Sequence, residues 1–134
     1  MLFLKKEYFP KLKKIIAAYH EAGMKVLYHS DGYLMDILDE LIDAGIDLIN
    51  PVEVAAGMDI KEIHQSYPDL IMAGGIDVST LLPYGSTQEI KEAVNKAIEE
   101  SEGQIMIGSS TEMNNNVPLK NVITTYDTAK NYKY

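Results

Sequence analysis

Apolar residues recur along this chain in two rhythms, one at helical spacing and one in short continuous runs. Phe9, Leu12, Ile15, Ile16 and Tyr19 repeat at helical spacing with Lys11, Lys13 and Lys14 between them, which predicts an amphipathic helix over about residues 6–22. Pro10 fits the first turn of that helix and Gly23 ends it. The run Met24–Tyr28 reads as a first strand. A second helix carries Leu34, Ile37, Leu38, Leu41 and Ile42 and stops at Gly45, and Ile46–Ile49 reads as a second strand. The junctions Ala22-Gly23-Met24 and Ala44-Gly45-Ile46 look alike and lie about 22 residues apart, the period of a strand–helix repeat.

The rhythm continues. Asp59-Ile60-Lys61-Glu62 is a cap-like helix start, with Ile60, Ile63 and Tyr67 on one face and Pro68-Asp69 as the break. Leu70–Ala73 is the third strand, and Val78–Gly85 is the longest connection. Ser86-Thr87-Gln88-Glu89 is a capping box ahead of the stripe Ile90, Val94, Ala97 and Ile98. Gln104–Ile107 is the fourth strand. Pro118 opens a closing helix built on Val122, Ile123, Tyr126 and Ala129. One helix followed by four strand–helix units, with strands too uniformly apolar to alternate, predicts an α/β fold with a parallel sheet covered by helices. At 134 residues the chain reads as one domain over 1–134, about half of an eight-fold barrel of roughly 250 residues.

Each strand ends in a polar or small cluster: His29-Ser30-Asp31-Gly32, Asn50-Pro51-Val52-Glu53, Gly74-Gly75-Ile76-Asp77, and Gly108-Ser109-Ser110-Thr111-Glu112. In a parallel sheet such ends share one rim, where α/β proteins place their sites. Twelve basic against 20 acidic residues argue against a nucleic-acid surface. All twelve are lysines, so the chain lacks the forked guanidinium that usually grips carboxylates and phosphates. No apolar run approaches the ~20 residues of a membrane span, and the order of apolar and basic residues at the N-terminus is wrong for a signal peptide. The absence of cysteine excludes a disulfide framework and a thiolate metal site, and the expected location is the cytoplasm.

The ordered motifs beginning at His29, Asn50 and Gly74, with Leu81-Leu82-Pro83-Tyr84-Gly85-Ser86 and Val117-Pro118-Leu119-Lys120-Asn121-Val122, resemble the C-terminal half of the uroporphyrinogen decarboxylase superfamily. The resemblance covers nearly the whole chain. It implies a parallel (βα)4 half of a TIM-type barrel with a preceding helix. It also implies decarboxylation of a tetrapyrrole or small carboxylic acid. The arginines and aspartate of true decarboxylases belong to the N-terminal half, which has no counterpart here. The related cobalamin-dependent methyltransferases use a zinc site with His-x-Cys after one strand and a second Cys after the last. His29 matches that histidine, Asp31 stands at the first cysteine, and the second falls near Ser110 or Thr111.

The resemblance thus offers His29 and Asp31 as catalytic groups, with Asn50, Glu53, Gly75, Asp77, Ser110 and Glu112 as substrate-binding groups. Histidine would donate a proton or meet a carbonyl, and the carboxylates would position N–H or hydroxyl groups. A decarboxylase of this kind requires no cofactor. A metal, if one binds, would take His29, Asp31 and Glu112, with zinc as a candidate despite the missing thiolates. Plainer readings stand beside these: Asp31 as a cap for a helix near Tyr33, His29 as a satisfied core histidine, Glu53 as a solvated loop charge, and Asp77 after a tight turn. Ser109 and Ser110 could donate to a carboxylate or satisfy loop backbone, and His20 and His64 read as surface or packing residues. The methionines, Met72 and Met106 among them, read as core filler. Four parallel strands leave two open edges and a bare inner face, so the expected partners are a small carboxylate and either a second copy or an N-terminal half-barrel. A non-catalytic binding module is the remaining reading.

Overall fold

The computed structural model describes residues 2–133. A π-helical turn, Leu4–Tyr8, leads into α1 (Phe9–Glu21). Then follow β1 (Leu27–His29), α2 (Leu38–Ala44), β2 (Leu48–Val52), α3 (Ile60–Ser66), β3 (Ile71–Ile76), α4 (Leu81–Tyr84), α5 (Thr87–Glu100), β4 (Ile105–Ser109) and α6 (Leu119–Lys130). The four strands form one sheet in the order β1-β2-β3-β4, and every pair is parallel. This is the (βα)4 arrangement that the alternating rhythm predicted. No helix among the described residues is long and apolar enough to cross a membrane.

The helices start and stop where local chemistry dictates. Ser86 and Glu89 form the reciprocal capping box on α5, and Asp59 accepts from the Glu62 N–H to open α3. Gly45 closes α2 with φ +102°, a left-handed cap that glycine adopts without a Cβ clash. Inside the segment read as one long connection, α4 forms because the Asp77 carboxylate accepts the N–H groups of Ser79, Thr80 and Leu81.

The strands extend further toward their C-terminal ends than the apolar runs suggested. β2 includes Asn50 and a cis Asn50–Pro51 bond, β3 includes Gly74 and Gly75, and β4 includes Gly108 and Ser109. The ladder uses backbone groups, so pairing persists after the side chains turn polar. His29 lies opposite Asn50, and Gly75 opposite Gly108, as paired strand residues.

The core lies on one side of the sheet. Ile49, Met72 and Ile76 are buried with Ile16 of α1, Leu38 and Leu41 of α2, Ile63 of α3, and Ile90 and Val94 of α5. On the other side, Leu27, Leu48 and Ile71 form one lateral row, and Met106 sits beside Ala73. Leu27 and Met106 remain about half exposed, at 47% and 49%. Met106 is therefore not core filler, whereas Met72 is fully buried. The apolar spacing of the outer helices divides in the same way: Phe9 and Ile16 are buried but Ile15 and Tyr19 are exposed, and α6 buries Asn121 and Thr125 rather than Ile123 and Tyr126.

At the N-terminal end of the sheet, Asp47 ties the first two units together. Its carboxylate accepts from Lys25 Nζ (2.6 Å), His20 Nε2 (2.8 Å) and the Val26 N–H (2.8 Å). Burial alone would raise this carboxyl, but the bonds from Lys25, Val26 and His20 outweigh it and hold it at about 2. A carboxyl depressed in the folded chain stabilises fully above its unfolded value near 4, and that contribution is lost as pH falls toward 2. Urea unfolding from pH 2 to 7 should show Asp47→Asn less stable than wild type at neutral pH. The gap should close as the pH drops from about 4 to about 2.

Candidate functional site

Parallel strands put the four polar ends on a common rim, and the rim opens onto the bare face of the sheet. A groove of about 480 Å³ lies there. Its polar wall comes from His29, Asn50, Ser109, Thr111 and Glu112, and Leu27, Met106 and Tyr126 give it an apolar floor. Gly74 completes the wall in β3. Its φ is +108°, and a Cβ there would stand 3.0 Å from the Val52 backbone nitrogen and 3.2 Å from Pro51 Cβ. Only glycine lets β3 pass β2 at this point.

His29 and Asn50 are the central pair. They are register partners on adjacent strands, and His29 Nδ1 lies 2.7 Å from Asn50 Oδ1. With the amide carbonyl oriented toward the ring, Nδ1 carries the proton and donates, which leaves Nε2 with its lone pair for another partner. Both residues are part of strands, so the imidazole is held by backbone pairing as well as by its own hydrogen bond. Ser109 donates to the Thr111 carbonyl at 2.5 Å, and Thr111 Oγ1 donates to Glu112 Oε2 at 3.0 Å. At the β4 end Thr111 thus makes two separate bonds, one at its carbonyl and one from its hydroxyl to the Glu112 carboxylate.

Of the residues expected at the site, His29, Asn50 and Glu112 line this groove together. The others do different work. Asp31 is exposed in the loop after β1 and caps nothing: the helical turn at Met35–Ile37 starts at Leu34 with no side-chain cap. Glu53 reaches back to accept the Gly32 N–H at 2.6 Å, which ties the loop after β2 to the loop after β1. Asp77 is occupied by the cap of α4 and by the Thr80 hydroxyl; burial would raise its carboxyl, but these bonds hold it below its ordinary value. Ser110 is buried, and its hydroxyl accepts the Val78 N–H at 3.2 Å. Gly75 faces the helices: a Cβ there would meet Ile105, Ile60 and Ala97. Gly74, its neighbour, is the glycine at the groove.

Among the described residues no three His, Cys, Asp or Glu side chains gather as a metal cluster. His29, Asp31 and Glu112 therefore do not form the expected ligand set. The chain also has no cysteine, so a thiolate zinc centre does not fit the residues it carries. Sequence reading passed over Leu27, Met106 and Tyr126, whose apolar character pointed to a core. Thr111 was visible only through the methyltransferase resemblance, as one of two positions near the second cysteine.

Fold and rim together define one half of an α/β barrel of the kind that places its site at the C-terminal ends of its strands. The family model described as Uroporphyrinogen decarboxylase (URO-D) matches residues 5–132, and the chain belongs to that family. It is 26% identical over 132 residues to the Methylcobamide:CoM methyltransferase MtbA of Methanosarcina acetivorans, and 25% identical over 132 residues to the protein of the same name from Methanosarcina mazei. Each alignment takes in 98% of this chain and 38% of the relative, so the chain spans less than two fifths of those proteins. A solved methyltransferase from Methanosarcina mazei has the same fold over 95% of this chain and 36% of its own, with a TM-score of 0.75 and 21% identity.

The His29–Asn50 bond carries a direct spectroscopic consequence. Long-range ¹H–¹⁵N correlation at pH above 8 should show neutral His29 as the Nδ1–H tautomer. Asn50→Leu should return it to a mixture dominated by the ordinary Nε2–H form, with the backbone spectrum otherwise retained.

Proposed function

We propose that this chain carries the histidine-bearing half of a decarboxylase site acting on a small or tetrapyrrole carboxylic acid. The observation that supports it is the His29–Asn50 pair at the rim, directly beside the apolar floor of Leu27, Met106 and Tyr126. A carboxylate pressed onto that floor loses hydration, which favours its departure as neutral carbon dioxide. The electron pair of the broken C–C bond stays on the substrate carbon. Protonated at Nε2, His29 then delivers a proton to that carbon while Asn50 holds the ring through Nδ1. On this reading Thr111 and Glu112, which line the groove, accept pyrrole N–H or hydroxyl groups and so orient the substrate. The chain holds no arginine to grip further carboxylates, so such contacts belong to whatever completes the barrel. The reaction is assigned to the cytoplasm, with neither nucleic acid nor membrane as a partner.

A second reading, methyl transfer from a corrinoid, is favoured by the likeness to the two Methylcobamide:CoM methyltransferases over 98% of the chain. On that reading His29 would be one ligand of a metal whose thiolates come from elsewhere, because this chain has none.

Release of labelled carbon dioxide tests the first reading. The chain is incubated with ¹³C-carboxyl uroporphyrinogen and with a panel of small labelled carboxylic acids. Release above the uncatalysed rate is expected. It should fall about 100-fold or more in His29→Ala, and about tenfold in Asn50→Ala, with circular dichroism unchanged. Release that is absent from wild type, or unaffected by His29→Ala, would refute it. Binding without release would support the non-catalytic module. About one zinc per chain by mass spectrometry, lost in His29→Ala, would support the methyltransferase reading.

A further inference from the structure

We propose that the Asp31–Gly32 peptide is a site of spontaneous cyclisation to a succinimide, and that Glu53 holds this reaction in check by gripping the nitrogen that would attack. The reaction lies within two neighbouring loops and does not depend on what covers the bare face of the sheet. It also stands independently of the chemistry at His29.

The sequence supplies the reactive pair. Asp31–Gly32 is the one place in the chain where a glycine follows an aspartate or an asparagine. Elsewhere the following residue carries a side chain that crowds the attack. In the reaction the Gly32 nitrogen gives up its proton and attacks the carbon of the Asp31 side-chain carboxyl group. A new C–N bond closes a five-membered imide, and the carboxyl OH leaves with that proton as water. Solvent water then opens the ring at either carbonyl. One route restores aspartate. The other carries the chain through the side-chain carbon and leaves isoaspartate, with one extra methylene in the backbone. Nothing is oxidised or reduced.

The structure exposes the electrophile and restrains the nucleophile. Asp31 is exposed, and its side chain caps no helix. A Cβ at Gly32 would meet nothing within 4 Å, so packing does not shield the nitrogen. The restraint comes from hydrogen bonds. The Gly32 N–H donates to Glu53 Oε2 at 2.6 Å, the short bond of a charged acceptor. To attack, this nitrogen must shed the proton that the carboxylate holds and put negative charge beside it, which a neighbouring anion opposes.

The neighbouring amides reinforce that grip. The Ser30 N–H donates to the Asn50 carbonyl at 3.0 Å, and the Leu34 N–H donates to Met58 Sδ at 3.2 Å. Every second amide from 30 to 34 is therefore tied to β2 or to the loop after it. Glu53 is itself fixed, because its carbonyl accepts the Ala56 and Met58 N–H groups at 3.0 and 3.3 Å. Ring closure must turn the Asp31–Gly32 peptide and break the middle bond of the three. An isoaspartate there would lengthen the backbone two residues beyond His29.

Incubation in H₂¹⁸O tests this, because each passage through the ring leaves one heavy oxygen on residue 31 whichever carbonyl opens. Peptide mass spectrometry reads the label, and fragmentation separates aspartate from isoaspartate. Folded wild type should take up label at residue 31 at least about tenfold more slowly than the same chain in urea. Glu53→Ala should raise the folded rate about tenfold, and Glu53→Gln, which keeps an acceptor without the charge, should fall between. Amide exchange in β2 and β3 should match wild type in both variants, which separates release of the Gly32 nitrogen from loss of the fold. The comparison of folded with unfolded wild type needs no substitution. Label entering both at the same rate would overturn the proposal. So would an unchanged slow rate in folded Glu53→Ala, or label appearing first at a different residue.

Discussion

A parallel sheet of apolar strands has two faces to bury, and this chain brings helices to only one of them. That constraint shapes the rest of the molecule. The helical side is packed in the ordinary way, with Ile49, Met72 and Ile76 meeting residues from four helices. The opposite side keeps Leu27, Ile71 and Met106 in contact with solvent. Along its upper border, the same parallel direction of all four strands delivers His29, Asn50, Gly74 and Ser109 to one groove. Floor and rim follow from a single feature: side chains of alternate residues on strands that all point the same way.

The rim shows how few residues a site needs from each strand. β1 gives the imidazole and β2 gives the amide that fixes its tautomer. β3 gives a glycine whose missing side chain makes room, and β4 gives the Ser109 hydroxyl, which holds the Thr111 carbonyl. The carboxylates that do not reach the groove hold its surroundings. Glu53 joins two loops through the Gly32 N–H, and Asp77 anchors α4. They hold the loops of the rim in place without lining the groove. Membership of the uroporphyrinogen decarboxylase family agrees with this layout, and the 38% share of the curated relatives agrees with half a barrel.

Much of this was legible in the residues. The helix boundaries at Gly45, Asp59 and Ser86 rest on local cap chemistry, which acts within a few residues and can be read there. The strand ends could not be placed the same way, because hydropathy falls at His29 and Asn50 while backbone pairing continues through them. The fate of the acids was equally hidden. Asp31, Glu53 and Asp77 look alike in a rim cluster, yet one is free of any cap, one spans two loops and one caps a helical turn. Which neighbour each meets is decided by tertiary packing. Met72 and Met106 make the same point in a pair of strands: both are apolar and strand-borne, and the face of the sheet alone separates core from floor. Gly74 and Gly75 differ likewise, by one residue and therefore by one face.

The central claim is that His29 alone of the three histidines presents a free Nε2 at the groove. His20 Nε2 is bonded to Asp47, and the His64 side chain is only 12% exposed. Limited carbethoxylation with diethyl pyrocarbonate, followed by peptide mass spectrometry, measures this directly. The account predicts that His29 is modified first and that loss of its reactivity tracks loss of ligand binding. Faster modification of His20 or His64, with His29 protected in the free chain, would contradict it.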